Sequence, residues 1–188
     1  MMLINLTLFV VIDAPASHNF SKITLSDGLP SSVVRDIAQN TDGFIVFATS
    51  AGVAKYDGYN ITVLNDNQGE SLGDVWSIDT GANNTFAIAS KTRGLFKYEQ
   101  NQIKKIDIFT IETQVTSVKY DFNNKLWIGT NDGIYKLENN KKNNIVELKN
   151  EKVSDFLNLN QSELLAITDK NIYRININSN KFKTVNLK

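Results

Sequence analysis

Residues 125–137 read Lys125-Leu126-Trp127-Ile128-Gly129-Thr130-Asn131-Asp132-Gly133-Ile134-Tyr135-Lys136-Leu137. Two short apolar runs flank Asn131-Asp132-Gly133, a tripeptide suited to a tight turn because Gly takes positive φ freely and Asn and Asp tolerate the left-handed region. The stretch reads as a β-hairpin. The same turn region recurs at residues 49–52, 90–94 and 168–171, followed by Val53-Ala54-Lys55-Tyr56, Leu95-Phe96-Lys97-Tyr98 and Ile172-Tyr173-Arg174-Ile175. Recurrence at a near-constant spacing makes the chain an array of repeats.

Working outward, each hairpin is preceded by a strand with two apolar residues three apart: Val34 and Ile37, Val75 and Ile78, Val115 and Val118, Val153 and Phe156. Turn-forming loops at residues 40–43, 81–84, 121–124 and 160–162 lead into second strands at 44–49, 85–90, 125–130 and 163–168. These second strands are the most continuously apolar, as strands covered on both faces should be. Phe44, Ile45, Phe86, Ile88, Leu126, Trp127, Ile128, Leu164 and Leu165 are therefore the predicted core. Fourth strands at 61–64, 103–106, 145–148 and 182–187 complete units of four strands in about 40 residues, the period of a β-propeller blade. An antiparallel sandwich or barrel also shows short strands at such intervals. It has no need, however, for every fourth strand to be interchangeable, whereas blades stacked around an axis do.

The expected fold is all-β: four four-stranded antiparallel blades at about residues 31–65, 73–107, 113–149 and 151–188. A further strand is expected at residues 20–25. Because the fourth blade already has an outer strand of its own, that N-terminal strand has no vacancy to fill. The expectation is an open arc with uncovered apolar end faces, prone to self-association as a homo-oligomer or in need of further blades.

A chain of 188 residues, 41% hydrophobic and 21% charged, has globular composition and room for one domain with a real core. Twenty basic residues balance twenty acidic ones, so no overall field favours nucleic acid. The absence of cysteine excludes disulfides, thiolate metal sites and thiol nucleophiles. A single histidine, His18, leaves almost no material for a histidine metal cluster or a Ser-His-Asp triad. Residues 1–12 are an apolar run broken only by Asn5 and Thr7, and Ala14-Pro15-Ala16 follows Asp13. This resembles a secretory signal peptide at residues 1–16, with Ala14 and Ala16 at −3 and −1, although no Lys or Arg precedes the run. Export to the periplasm would leave residues 17–188 as the mature propeller domain.

Catalytic constellations are sparse. Asp-Gly and Asn-Gly corners recur once per blade, as turn residues do. Three arginines could suggest a sialidase-like carboxylate site, but Arg174 shares its repeat position with Lys55, Lys97 and Lys136, Arg35 falls in a first strand and Arg93 in a bend. Residues 65–70 place oxygen ligands at alternating positions, yet lack the bidentate acid at position twelve and the flanking helices of an EF-hand. No metal and no cofactor is expected. Recognition residues collect on loops carried by a rigid scaffold. The ring end built by the second-to-third-strand bends and the blade-to-blade loops therefore nominates Lys91, Arg93, Asn131, Asp132 and Lys170, with Trp76 just after such a loop.

Asp27-Gly28-Leu29-Pro30-Ser31, Val34 to Ile37, Asp42-Gly43-Phe44-Ile45, Ala51-Gly52-Val53 and Tyr56-Asp57-Gly58-Tyr59 resemble the opening blade of the two-component regulator propeller repeats. Trp127-Ile128-Gly129-Thr130-Asn131-Asp132-Gly133-Ile134 is similar to that family's most typical hairpin. The resemblance implies an arc of a larger, for example seven-bladed, ring. It also implies an extracytoplasmic sensor that binds a small molecule such as a saccharide, or a protein, and signals to a cytoplasmic histidine kinase, hybrid kinase or diguanylate cyclase. A scaffold or protein-interaction propeller without a small ligand is the alternative, and a glycan-degrading enzyme is a distant third. Val46, Ala87 and Leu165 stand where the family's tryptophan is expected, and Ala48, Ala89 and Ile167 where its glycine is expected.

Overall fold

A computed structural model describes residues 21–110, 112–138, 141–147 and 151–185. The expected signal peptide, His18, Phe20 and residues 186–187 of the last strand lie outside this set. Among the described residues sixteen strands form four separate antiparallel sheets in simple meander order. Blade 1 contains β1 (Val34–Gln39), β2 (Ile45–Thr49), β3 (Gly52–Tyr56) and β4 (Ile61–Leu64). Blade 2 contains β5 (Val75–Thr80), β6 (Phe86–Ser90), β7 (Gly94–Glu99) and β8 (Gln102–Lys105). Blade 3 contains β9 (Val115–Tyr120), β10 (Leu126–Thr130), β11 (Gly133–Glu138) and β12 (Lys141–Glu147). Blade 4 contains β13 (Val153–Asn160), β14 (Glu163–Thr168), β15 (Ile172–Asn176) and β16 (Phe182–Thr184).

The recurrent turn has a mechanism. The hydroxyl closing each second strand stitches its own bend: Thr49 Oγ1 donates to the Gly52 carbonyl at 2.8 Å and accepts from the Ala51 N–H at 3.2 Å. Thr130 does the same with the Gly133 carbonyl and N–H, both at 2.9 Å, and Thr168 with the Asn171 carbonyl at 3.0 Å and N–H at 2.8 Å. Ser90 accepts from the Arg93 N–H at 3.1 Å. Short hydroxyl side chains favour such local backbone bonds, which is why Thr or Ser marks each bend.

Because strand residues alternate between faces, each blade shows one face to the blade before it and one to the blade after. Val46, Ala48 and Val53 of blade 1 pack on Val75, Ile78, Phe86, Ile88 and Phe96 of blade 2. Ala87, Ala89 and Leu95 then meet Val115, Val118, Leu126 and Ile128 of blade 3. Trp127 and Ile134 meet Val153, Phe156, Leu164 and Ile175 of blade 4. Trp127, the largest fully buried side chain, shares its face with Gly129, where an added Cβ would lie 2.5–2.7 Å from Val153. Blades 1 and 2 have Ala48 and Ala89 at that position, beside the smaller Val46 and Ala87. Side-chain bonds also link the inner strands: Asp36 accepts from Ile78 N–H at 2.9 Å, Ser77 from Val118 N–H at 3.3 Å and Asp79 from Tyr120 N–H at 2.7 Å. Burial pushes the Asp36 carboxyl above its usual 3.8 despite that bond.

Close packing joins successive blades, β1 to β5, β5 to β9 and β9 to β13, and no core cluster among the described residues combines blades 1 and 4. The assembly is an arc. Ile37 is 58% exposed whereas its repeat equivalent Ile78 is 3% exposed, and Leu157 of blade 4 is 52% exposed on the opposite outer face. The same end effect leaves Ile45 and Leu165 only half-buried, unlike the predicted core residues Phe86, Ile88, Leu126, Trp127, Ile128 and Leu164, which are buried. Phe44 is also half-buried, at the turn preceding β2, with the Lys55 ammonium 4.6 Å from its ring centre.

The strand expected at residues 20–25 does not form among the described residues. Residues 21–24 are irregular and Leu25–Asp27 is a 3-10 turn. Asp27 Oδ2 accepts from the Thr24 N–H at 2.7 Å and the Thr24 hydroxyl at 2.8 Å, and Gly28 at φ 109° reverses the chain. These local bonds replace a sheet ladder. Ile23 and Leu29 instead lie against Phe47, Ala54 and Tyr56, partly covering the outward face of blade 1.

Candidate functional site

One backbone bond repeats at the bend end of every blade. Ser50 N–H donates to Val33 O, Lys91 to Asp74 O, Asn131 to Gln114 O and Asp169 to Lys152 O, at 2.8–3.2 Å. Each bend is thereby fixed beside the start of its own first strand, so bend side chains and first-strand side chains share one end of the arc.

Trp76, the second residue of β5, is the centre of this end. Its indole N–H donates to Asp74 Oδ2 at 2.9 Å, which fixes the ring. The Lys152 ammonium of blade 4 lies 3.5 Å from the ring centre, the Lys91 ammonium of blade 2 at 4.7 Å and the Arg35 guanidinium of blade 1 at 5.7 Å. Tryptophan is the best aromatic partner for a cation, each such contact contributing about 0.5–2 kcal/mol depending on desolvation. Arg35 also grips Asp74, Nε to Oδ1 at 2.7 Å and Nη2 to Oδ2 at 3.3 Å. Burial alone would raise the Asp74 carboxyl; the bonds from Trp76 and Arg35 and the nearby charges of Arg35 and Lys91 outweigh it and hold the group below 3.8. Burial, reinforced by the Lys91 charge and opposed by Asp169, lowers Lys152 from its usual 10.5.

Lys91 also lines a cleft of about 340 Å³ between blades 2 and 3, with Thr92, Arg93, Lys105, Phe109 and Thr113. Of the residues nominated from the sequence, Trp76 and Lys91 come together at the indole, and Lys91 and Arg93 share the cleft. Arg93 is committed to the connection between blades 1 and 2: it donates to Asp66 at 2.7 Å, Glu70 at 2.9 Å and the Ser71 carbonyl. Those acids are the ones whose spacing invites a calcium reading, and Asp66 also caps the loop by accepting from Gln68 and Glu70 N–H. Asn131 ties its bend to the preceding loop by accepting from Gln114 N–H at 2.8 Å. Asp132 lies 2.6 Å from the Thr130 hydroxyl, competing with the Gly133 carbonyl for its single proton, and accepts from the Tyr135 hydroxyl at 3.2 Å within its own hairpin. Lys170 is exposed on the blade 4 bend, its N–H bonded to Thr168. Arg35, Asp74 and Lys152 were not nominated; their convergence spans three blades and has no local sequence signal. The three arginines serve separate acids, Arg35 with Asp74, Arg93 with both Asp66 and Glu70, and Arg174 with Glu163. Among the described residues no group of three His, Cys, Asp or Glu side chains is placed to hold a metal.

No family model and no curated protein matches the sequence. Solved structures do. The extracellular domain of BT3049, described as a hybrid two-component system of B. thetaiotaomicron, is 19% identical with a TM-score of 0.71, over 88% of this chain and 26% of that one. The extracellular domain of BT4673 from the same organism is 16% identical with a TM-score of 0.71, over 84% of this chain and 22% of that one. The fold is a β-propeller. The chain thus spans about a quarter of the length of these extracellular domains. A streptogramin B lyase shares the propeller fold at 14% identity and a TM-score of 0.70, over 85% of this chain and 56% of the lyase. Among the described residues no helix is long and apolar enough to cross a membrane.

Proposed function

We propose that this propeller is the exported, ligand-sensing part of a bacterial signal-transduction receptor. It binds a small molecule such as a saccharide, or a protein, at the bend end of the arc and relays occupancy to a kinase or cyclase effector. The observation that carries the reading is the convergence on Trp76 of side chains from three blades, an arrangement able to report on the relative position of those blades. The likeness of fold to extracellular domains of two-component systems supports it.

Binding rather than catalysis follows from the chemistry available. A histidine-to-alanine variant of the related-fold virginiamycin B lyase is catalytically inactive, whereas residues 21–188 of this chain contain no histidine. The candidate end offers cations, an indole and two carboxylates, Asp74 and Asp169, already engaged, with no base among the described residues positioned against a nucleophile. A scaffold role is the second reading, favoured by the exposed Ile37 and Leu157 at the two ends of the arc.

Thermal-shift screening against a panel of oligosaccharides tests the proposal. Ligand-dependent stabilisation that follows RT ln(1 + [L]/Kd) and disappears in Trp76→Ala supports a sensor. Stabilisation by no member of the panel, with capture of a protein partner through the end faces, favours the scaffold. Turnover of a glycan that is lost on changing one acidic residue overturns the non-enzymatic reading.

A further inference from the structure

Lys91 and Lys152 differ from the other cations near them. All three arginines have carboxylate partners, whereas neither of these two ammoniums has an ion-pair partner among the described residues. They nevertheless approach the same indole, from blades 2 and 4. The two distances to the ring centre together bound their separation at about one Debye length, roughly 8 Å at physiological ionic strength, so their repulsion is incompletely screened. The acids nearby are already engaged: Asp74 is taken up by Arg35 and the indole N–H, and Asp169 accepts from the Lys152 backbone N–H at 2.9 Å. Burial and mutual repulsion both disfavour the charged form of Lys152. Asp74 feels the Lys91 charge and Asp169 the Lys152 charge, but among the described residues neither acid closes an ion pair with either ammonium.

We propose that Lys91 and Lys152 together bind a compact oxyanion, a carboxylate, sulfate or phosphate, at the Trp76 end of the arc, so that the receptor's ligand carries negative charge. This rests on the ligand-binding reading above and names the class of ligand. Both ammoniums lie against one fixed indole, and a flexible ammonium with three donors adapts to oxyanions of different shape. An anion bridging blades 2 and 4 also couples its own binding to the spacing between those blades, through Trp76.

The test uses halide quenching. The chain has two tryptophans, so Trp127→Phe leaves Trp76 as the sole indole; should that variant not fold, the difference between the native chain and Trp76→Phe isolates the same signal. The iodide-to-caesium quenching ratio of Trp76 should exceed that of a free indole, N-acetyltryptophanamide, several-fold at equal ionic strength. Lys91→Gln combined with Lys152→Gln should remove the preference, and Lys125→Gln, at the opposite end of blade 3, should leave it intact. Protection by oligogalacturonate but not by inorganic sulfate or phosphate would place the oxyanion on a saccharide; protection by the inorganic ions at equal concentration would assign a free-ion site. An iodide-to-caesium ratio no greater than that of the free indole overturns the anion site. If neutral oligosaccharides then still stabilise the protein, the sensor reading survives and only the ligand class is wrong. An iodide preference without stabilisation by any oligosaccharide keeps the anion site and removes the saccharide receptor.

Discussion

Ile37 and Ile78 hold the same place in successive blades, paired with Phe47 and Ile88 respectively, and this permits an internal comparison that isolates the open end of the arc. Ile78 is 3% exposed between blades 1 and 2, while Ile37 is 58% exposed on the outward face of blade 1. Ile78→Ala removes fully buried carbon and leaves a cavity walled by two blades, which costs about 2–5 kcal/mol. Ile37→Ala removes a side chain that is mostly in water already, and solvent fills the space. At about 25 cal/mol per Å² of apolar area buried, the loss is about 1 kcal/mol or less. The larger cost is a substantial share of the roughly 5–15 kcal/mol that stabilises a typical domain. Urea unfolding of both variants at low protein concentration, with unchanged m-values, gives the difference directly. Equal losses within about 0.5 kcal/mol would show that blade 1 is covered in solution and would refute the open arc.

Other expectations follow from the same packing. Trp127→Ala should cost about 3–5 kcal/mol, because the ring is fully buried between blades 3 and 4 and its N–H donates to Asp121 at 2.9 Å; a urea midpoint close to the native value would contradict the blade contact. Asp74 has a folded pKa below 3.8, so its contribution is complete above that value and is lost as pH falls through the folded pKa. Asp74→Asn should therefore lower the melting temperature at neutral pH and flatten its fall at pH below 3.8, and an unchanged acid limb would deny the Arg35 and Trp76 contacts their role. Sedimentation should show concentration-dependent association through the outer apolar faces, weakened by Leu157→Lys and Leu159→Lys, which lie 52% and 41% exposed; a monomer at all concentrations would count against sticky ends.

The blades were legible because each level of the sequence agreed. Apolar pairs three apart placed the first strands, continuous apolar runs the second, and the Thr or Ser with Gly or Asn the bends whose bonds are now explicit. End effects were not legible: Ile45 and Leu165 read like Phe86 and Ile88, and only the neighbour on one side decides their burial. Residues 20–25 read as a strand because three apolar residues fall within six, but Thr24, Asp27 and Gly28 form a closed local turn that outcompetes pairing. At the candidate site the loop argument reached Trp76 and Lys91. Arg35 and Lys152 stand a whole blade before Trp76 and nearly two after it, and only curvature of the arc brings them together. Arg93 and Asp132 carry the right chemistry for recognition, but their partners are within the chain, and a single sequence does not separate the two cases.

We propose that this propeller binds a ligand at the Trp76 end without transforming it. Isothermal titration with an acidic oligosaccharide, followed by mass analysis of the recovered ligand, tests it most directly. Binding should be saturable, at least tenfold weaker in Trp76→Ala and in the Lys91→Gln, Lys152→Gln pair, with the ligand recovered unchanged. Binding indifferent to all three substitutions, or a ligand recovered as product, would contradict it.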